Sequence, residues 1–436
     1  MSGNDLNNSS AVQAAAKALF NRSPLNLECR QELMDRKKQF ITSNKELQSH
    51  LSHLDITELT DCLVWIPESE LYIGKVLGRG ASGLCNEAKT NLGQVAVKAM
   101  KVQELMILAH VTYHGQPTEI PTLPVYGLSR KDGKYLMIME LGSCSLESKL
   151  SESAFENFDT VHAHATIIAD RLRQVHILGI IHKDLNPKNL VLASSDSGAL
   201  IVDFGLSTTI DDPRHEPGSY GRGEYLPPEA LTAGPFTTAY DIHCLGSVMW
   251  HLLPSVPLSK KYLKVDREEV LVPSVSNDFT SREEELIPGV LKEYMNIYVD
   301  CWNPDPLKRP TIDNIIERLR KCKPQSESPT PWSKESLDFI ERQQQDAEHE
   351  RKSTGNSETT VESQFSPRMA PLSTTNNQTN TYTFQEPQQA LPLTMTKGYK
   401  FQAAEPSASG INTNGVSAPE PVYGISPLSL SYLEVH

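Results

Sequence analysis

A chain of 436 residues with 54 acidic against 41 basic side chains has a formal charge of −13, which argues against general nucleic-acid binding and against electrostatic adhesion to an anionic membrane. Its seven cysteines are odd in number, scattered and without the CxxC spacing that would suggest zinc or redox work, so they read as reduced intracellular thiols. No apolar run approaches the ~20 residues that span a bilayer, and the start MSGNDLNNSS lacks the parts of a secretory signal, so a cytoplasmic protein is expected, nuclear entry being left open.

Beyond the polar first ~10 residues, AVQAAAKALF and then NLECRQELMDRKKQFITSNKELQSHLSHL combine good helix formers with apolar residues at near-helical spacing, and Ser23-Pro24 suits the opening of the second helix. Such helices either dock a partner or pack on the domain that follows. Strand-like runs LYIGKVLG, QVAVKAM and KYLMIME come next, ahead of longer helical stretches, the order of a small sheet-rich lobe before a larger helical one. After Pro324 the chain turns to Ser, Thr, Pro, Asn and Gln with few aromatics, a composition that cannot offset its own ordering entropy; only ESLDFIERQQQDAEHERK, 335–352, suits a short helix. No internal repeat is apparent. The expected organisation is a partly helical extension over 1–66, an α+β domain over 67–323 and a mostly disordered tail over 324–436.

The first chemical signal is Gly78-Arg79-Gly80-Ala81-Ser82-Gly83. A dinucleotide-binding loop would run straight into a helix, but here LCNEAKT, the turn Asn91-Leu92-Gly93 and the strand QVAVKAM follow, which makes a hairpin over a nucleotide. Glycines let the backbone lie close to phosphates, with Ser82 near the tip. Val95-Ala96-Val97-Lys98, His182-Lys183-Asp184-Leu185-Asn186-Pro187-Lys188-Asn189, Asp203-Phe204-Gly205 and Leu226-Pro227-Pro228-Glu229 then follow in chain order. With these motifs the chain resembles the eukaryotic protein kinase family over about residues 70–322, and CWNPDPLKRPT, 301–311, is most similar to the tyrosine-kinase-like and tyrosine kinases.

That resemblance implies a bilobal fold and an ATP-dependent protein kinase, with ATP and Mg²⁺ as cofactors and protein hydroxyls as substrates. It implies that Gly78, Gly80, Ser82, Gly83 and Lys98 hold the phosphates, that Met139 is the gatekeeper with Glu140 and Leu141 beside the adenine, and that Asp203 and Asn189 bind metal. Asp184 would receive or orient the substrate hydroxyl, Phe204 would lie beneath the helix carrying Glu104, Asp241 would brace the catalytic loop, and Arg309 would pair with Glu229.

Several positions depart from the family pattern. Lys98 should pair with a helical glutamate, and Glu104 is the candidate, yet only six positions separate them where the family usually leaves many more. Either a shortened helix still brings Glu104 to Lys98, or the pair is absent and activity is weak or partner-dependent. Glu119, between prolines, is the poorer candidate. Lys183 replaces the arginine that grips a phosphorylated activation loop, which implies weaker phospho-control, and Ser219 and Tyr220 are the candidate sites there. Asn186 replaces the lysine of serine/threonine kinases, so Lys188 becomes the candidate for the γ-phosphate; Arg222 stands where many keep a threonine, and Pro227 where alanine is usual. The late motif and loop favour serine/threonine acceptors, tyrosine remaining open. The rival expectation is a pseudokinase or scaffold that recruits partners through the N-terminal helices or the tail. Ser366-Pro367 is read as incidental, and His110 and His114, lacking a third ligand, as structural.

Overall fold

The computed structural model describes residues 13–22, 31, 35, 44–80, 83–115, 120–152, 154–192, 198–212, 221–231, 236–254, 287, 289–323 and 331–353. Ser82, Glu119, Ser219, Tyr220, Ser366 and most of the second N-terminal helix expected from the sequence lie outside these residues.

Helix α1 covers 13–20 and α2 Asn44–His53, followed by the short strand β1 (Val64–Trp65). The motif-bearing hairpins are β2 (Tyr72–Gly80), β3 (Gly83–Thr90) and β4 (Gly93–Ala99), then α3 (Val102–His114), β5 (Val125–Lys131) and β6 (Lys134–Glu140). These strands form one six-stranded sheet in the order β1-β5-β6-β4-β3-β2, antiparallel except that β1 joins β5 in parallel. The turn expected at 91–93 does join β3 to β4, with Gly93 at φ +96°, a left-handed conformation that costs glycine nothing.

The second lobe runs through β7 (Cys144–Ser145), α4 (Leu146–Glu152), α5 (Phe158–Ile177), β8 (Ile180–Ile181), β9 (Leu190–Leu192), β10 (Ala199–Ile201) and β11 (Thr208–Thr209). It continues with α6 (Thr238–His251), α7 (Lys292–Cys301), α8 (Ile312–Lys321) and α9 (Lys334–Ser353). Local chemistry starts these helices: Asn157 accepts from Thr160 N–H at 2.8 Å to open α5, and Thr311 accepts from Asn314 N–H at 3.3 Å to open α8. In α8, Ile312, Ile315, Ile316 and Leu319 are buried while Asp313, Asn314 and Glu317 face water, the one-sided pattern of a helix on a lobe's surface.

Helix α3 behaves differently, because every residue from Glu104 to Tyr113 is buried. A helix buried all round needs cover on each side, and the N-terminal segment supplies part of it. Phe20 of α1 lies edge-on to His114 with ring centroids 4.7 Å apart, and Leu47, Leu51, Leu59 and Trp65 join the same core as Leu105 and Met106. The described parts of residues 13–66 thus pack on the small lobe. Beyond 324, the segment 331–353 also docks: Trp332 is buried and its indole N–H donates to the Phe155 carbonyl at 2.6 Å, and Phe339 and Ile340 of α9 are buried. The helix expected at 335–352 is therefore present as α9, held by burial that composition alone did not reveal.

Candidate active site

The site lies where the β2–β4 sheet faces the loop between β8 and β9. Lys98 sits near the end of β4, cross-strand from Met137 of β6 and Cys85 of β3, so its stem is fixed by a sheet on both sides. Its ammonium donates to Glu104 Oε1 at 2.6 Å and to Asp203 Oδ1 at 2.8 Å. The shortened connection therefore resolves in favour of a pair. Helix α3 starts at Val102, directly after β4, and Glu104 reaches back from its first turn. Gln103 Nε2 donates to the Ser207 carbonyl at 2.8 Å and ties the same turn to the segment after Asp203-Phe204-Gly205.

Burial alone would lower the Lys98 pKa, but the two carboxylates outweigh it and hold the ammonium charged. Burial pushes the Glu104 carboxyl up, Lys98 pulling against it, and Glu104 Oε2 is buried without a hydrogen-bond partner among the described residues.

The loop carrying Asp184 is braced from α6. Asp241 is fully buried and accepts from the backbone N–H groups of His182 and Lys183, each at 2.8 Å, and from His176 Nε2 at 2.9 Å. Burial would raise its pKa, yet these donors together keep it below the usual carboxylate range. Lys183 takes a left-handed φ of +65° and its ammonium lies 4.2 Å from the Phe236 ring centroid.

Asp184 is pushed up to about 7, first by burial and next by Asp203, while amide donors from Asn189 and Asn186 and the charge of Arg222 pull the other way. Asn189 Nδ2 donates to Asp184 Oδ2 at 2.7 Å and to the Asp184 carbonyl at 2.9 Å. Gly221, at φ +117°, lies so close that a Cβ there would stand 3.0 Å from Asp184 Oδ1. Arg222 forms an ion pair with Glu147 of α4 and another with Glu224 at 3.3 Å. Lys188 reaches across to the glycine-rich strand, its ammonium donating to the Arg79 carbonyl at 2.7 Å.

The remaining predicted residues fall around this centre. Gly78 pairs with Cys85 and Gly80 with Gly83 in the β2–β3 hairpin, and Ser82 lies outside the described residues. Met139 pairs with Ala96 in the sheet, behind Lys98. The Glu140 carboxylate accepts from the Tyr126 hydroxyl at 2.6 Å, and its backbone N–H donates to the Pro124 carbonyl at 2.9 Å. Leu141 leads into Gly142, where a Cβ would stand 2.2 Å from Val191 Cγ1; glycine is required for the connection to pass over β9. Phe204 is buried beside His182, with ring centroids 5.0 Å apart, and the turn Phe204–Leu206 that carries it lies against α3. Sequence reasoning did not single out Cys85, which takes the place of valine in the pattern GxGxxGxV and shares the face of Lys98, nor Val191. The register of β3 on β4 carried the first signal; the second depended on a through-space contact.

Arg309 has a fully buried side chain and grips Glu229 with two bonds, at 2.5 and 2.7 Å, while also donating to the carbonyls of Asn303 and Ala239. This paired geometry closes the helical lobe beneath the site.

Asp203 and Asn189 offer hard oxygens. The Asn189 amide nitrogen is turned toward Asp184, so its oxygen is the atom suited to a cation, and Asp203 is held at φ +65° with Oδ1 on Lys98. No cluster of three or more His, Cys, Asp or Glu side chains able to hold a metal ion exists among the described residues. One carboxylate and one amide fit a divalent ion that completes its shell with phosphate oxygens and water.

Comparison with known proteins points the same way. The protein kinase domain model matches residues 71–319, more than half of the chain. A probable LIM domain-containing serine/threonine-protein kinase of Dictyostelium discoideum is 26% identical over 268 residues, covering 58% of this chain and 26% of that protein. A probable serine/threonine-protein kinase of the same organism is 27% identical over 271 residues, covering 60% and 19%, and the ephrin type-A receptor 5 of Gallus gallus is 27% identical over 275 residues, covering 59% and 26%. The chain thus spans roughly a fifth to a quarter of the length of these relatives. By its motifs, its two-lobed α+β fold and this match, the chain belongs to the protein kinase family.

Proposed function

We propose that this protein is a catalytically competent serine/threonine kinase that moves the γ-phosphate of Mg-ATP to protein hydroxyls, with residues 67–323 as the catalytic unit. The observation that carries the reading is the buried Lys98 ammonium held between Glu104 and Asp203 at 2.6 and 2.8 Å, the arrangement that fixes a phosphate-positioning lysine in this family. Bound Mg-ATP supplies the electrophilic phosphorus and the counter-charge for its oxygens. Lys98 orients the α- and β-phosphates from a rigid strand, and Glu104 keeps its ammonium in place. Asp203 and Asn189 would hold the metal ion through their side-chain oxygens. Asp184 orients the acceptor hydroxyl and takes its proton, and Lys188, already close to the glycine-rich strand, meets the γ-phosphate. Serine/threonine acceptors are favoured by the late motif CWNPDPLKRPT and by the names of the Dictyostelium relatives.

The test is transfer of labelled γ-phosphate to the protein itself and to a generic protein substrate, wild type against Asp184→Asn, followed by identification of the phosphorylated amino acid. Incorporation abolished by Asp184→Asn, on serine or threonine, is expected. ATP binding with no incorporation above the variant would instead establish a scaffold, and phosphotyrosine alone would overturn the acceptor class.

A further inference from the structure

Asn186 is buried, with 1% of its surface exposed, and both of its amide atoms are committed inside the loop. Its Nδ2 donates to Asp184 Oδ1 at 3.0 Å and to the Asp184 carbonyl at 2.9 Å, while its Oδ1 accepts from the Lys188 backbone N–H at 3.0 Å. Asn189 approaches from the other side and donates to Asp184 Oδ2 at 2.7 Å and to the same carbonyl at 2.9 Å. Each carboxylate oxygen of Asp184 therefore has its own amide donor, and both donors are anchored on the carbonyl of the residue they orient. Rotation of the carboxylate would break both bonds at once.

The second contact of Asn186 matters equally. By accepting from Lys188 N–H it opens the single turn Pro187–Asn189, which sets the direction in which Lys188 leaves the loop. That side chain carries the nearby cation to the Arg79 carbonyl under the glycine-rich strand, 2.7 Å away. An amide at 186 thus supplies direction without charge, and the charge is displaced two residues along.

We propose that Asn186 is a positioning residue that sets Asp184 and Lys188 together, so that hydroxyl orientation and phosphate neutralisation depend on one buried amide. This rests on the kinase reading above. Asn186 touches neither nucleotide nor acceptor and acts through its two neighbours.

The experiment uses the full chain and four proteins: wild type, Asp184→Asn, Asn186→Ala and Asn186→Asp. Phosphate transfer from Mg-ATP gives kcat and the KM for ATP, and a fluorescent ATP analogue gives nucleotide affinity independently of transfer. Asn186→Asp preserves shape and the oxygen that caps Lys188 but replaces the donor to Asp184 with an acceptor, so it decides the matter if Asn186→Ala does not fold. Loss of a hydrogen bond to a charged group should lower kcat roughly 10- to 100-fold in both variants, with KM for ATP and analogue affinity within about twofold of wild type.

Unchanged kcat in Asn186→Asp overturns the inference, as does a loss of kcat that merely follows a loss of nucleotide affinity and thermal stability. Wild type that binds the analogue but transfers no more than Asp184→Asn would sink the kinase reading and this inference with it. Wild type that transfers while the Asn186 variants match it would sink this inference alone.

Discussion

At the scale of single residues, the site is governed by how a few charges share too few partners. Lys98 serves two carboxylates, and Glu104 keeps one oxygen buried with no partner among the described residues, so the pair carries a desolvation cost that its Coulomb attraction only partly offsets. Glu104→Gln removes the charge that aligns Lys98 and at the same time relieves that cost. Phosphate transfer should fall roughly 10- to 100-fold while the thermal midpoint shifts little, because the two effects on stability oppose each other. Paired kinetic and thermal-melt measurements check this; wild-type kcat in the variant would mean that Glu104 has no part in transfer. The identities of Lys98, Asp184, Asn189 and Asp203 were legible because their motifs are contiguous strings. The Glu104 pairing was not, since a separation of six positions says nothing about whether the first turn of a helix swings back toward the preceding strand. The role of Asn186 was likewise hidden, because a substitution in a motif reveals what is missing and not which atoms the new side chain finds.

At the scale of elements, α3 shows why periodicity alone misleads. It is apolar on nearly every face because the sheet covers one side and α1 contributes cover on another, so no amphipathic stripe marks its orientation. Phe20 is the anchor of that cover, 5% exposed and packed edge-on to His114 with Ala16 buried beside it. The surrounding pair between Arg22 and Asp211 is exposed and contributes little, so burial carries the docking. Phe20→Ala should therefore lower unfolding stability by about 3–5 kcal/mol, the range for deleting a buried aromatic ring, as read from the denaturant midpoint. A shift below about 0.5 kcal/mol, typical of surface substitutions, would show that α1 is not part of the folded unit. From sequence, docking of a partner and packing on the domain were equally open for this helix; which one holds depends on which apolar faces remain uncovered elsewhere. Helix α9 makes the same point at the other end, where Trp332 finds the Phe155 carbonyl across 177 positions of chain.

At the scale of the whole molecule, neutral histidines buried in both lobes link folding to pH. Burial, with help from His114, lowers His110 to about 4, against a hydrogen bond in which the Leu178 carbonyl accepts from Nε2 and favours the protonated form. Burial and the charge of Arg309 lower His243 to about 3. In the unfolded chain these rings take up a proton near their ordinary 6.5, so below that pH the unfolded state binds more protons and stability falls. Their contribution is complete above 6.5 and is lost as pH falls toward the folded values. Thermal midpoints should drop between pH 6.5 and about 5, and His110→Gln should flatten that slope. A slope identical in His110→Gln would place the linkage elsewhere.

What the amino-acid order determined by itself is the family, the two-lobed plan and the ordered motifs, because those depend on side-chain types at short, fixed separations that a strand, turn or loop converts directly into position. Tertiary structure alone decided that Glu104 meets Lys98, that Asn186 and Asn189 divide the two oxygens of Asp184 between them, and that segments outside the matched region, α1 and α9, pack into the kinase core. These are contacts between atoms whose distance is set by the folding of everything between them, and no local pattern encodes that distance.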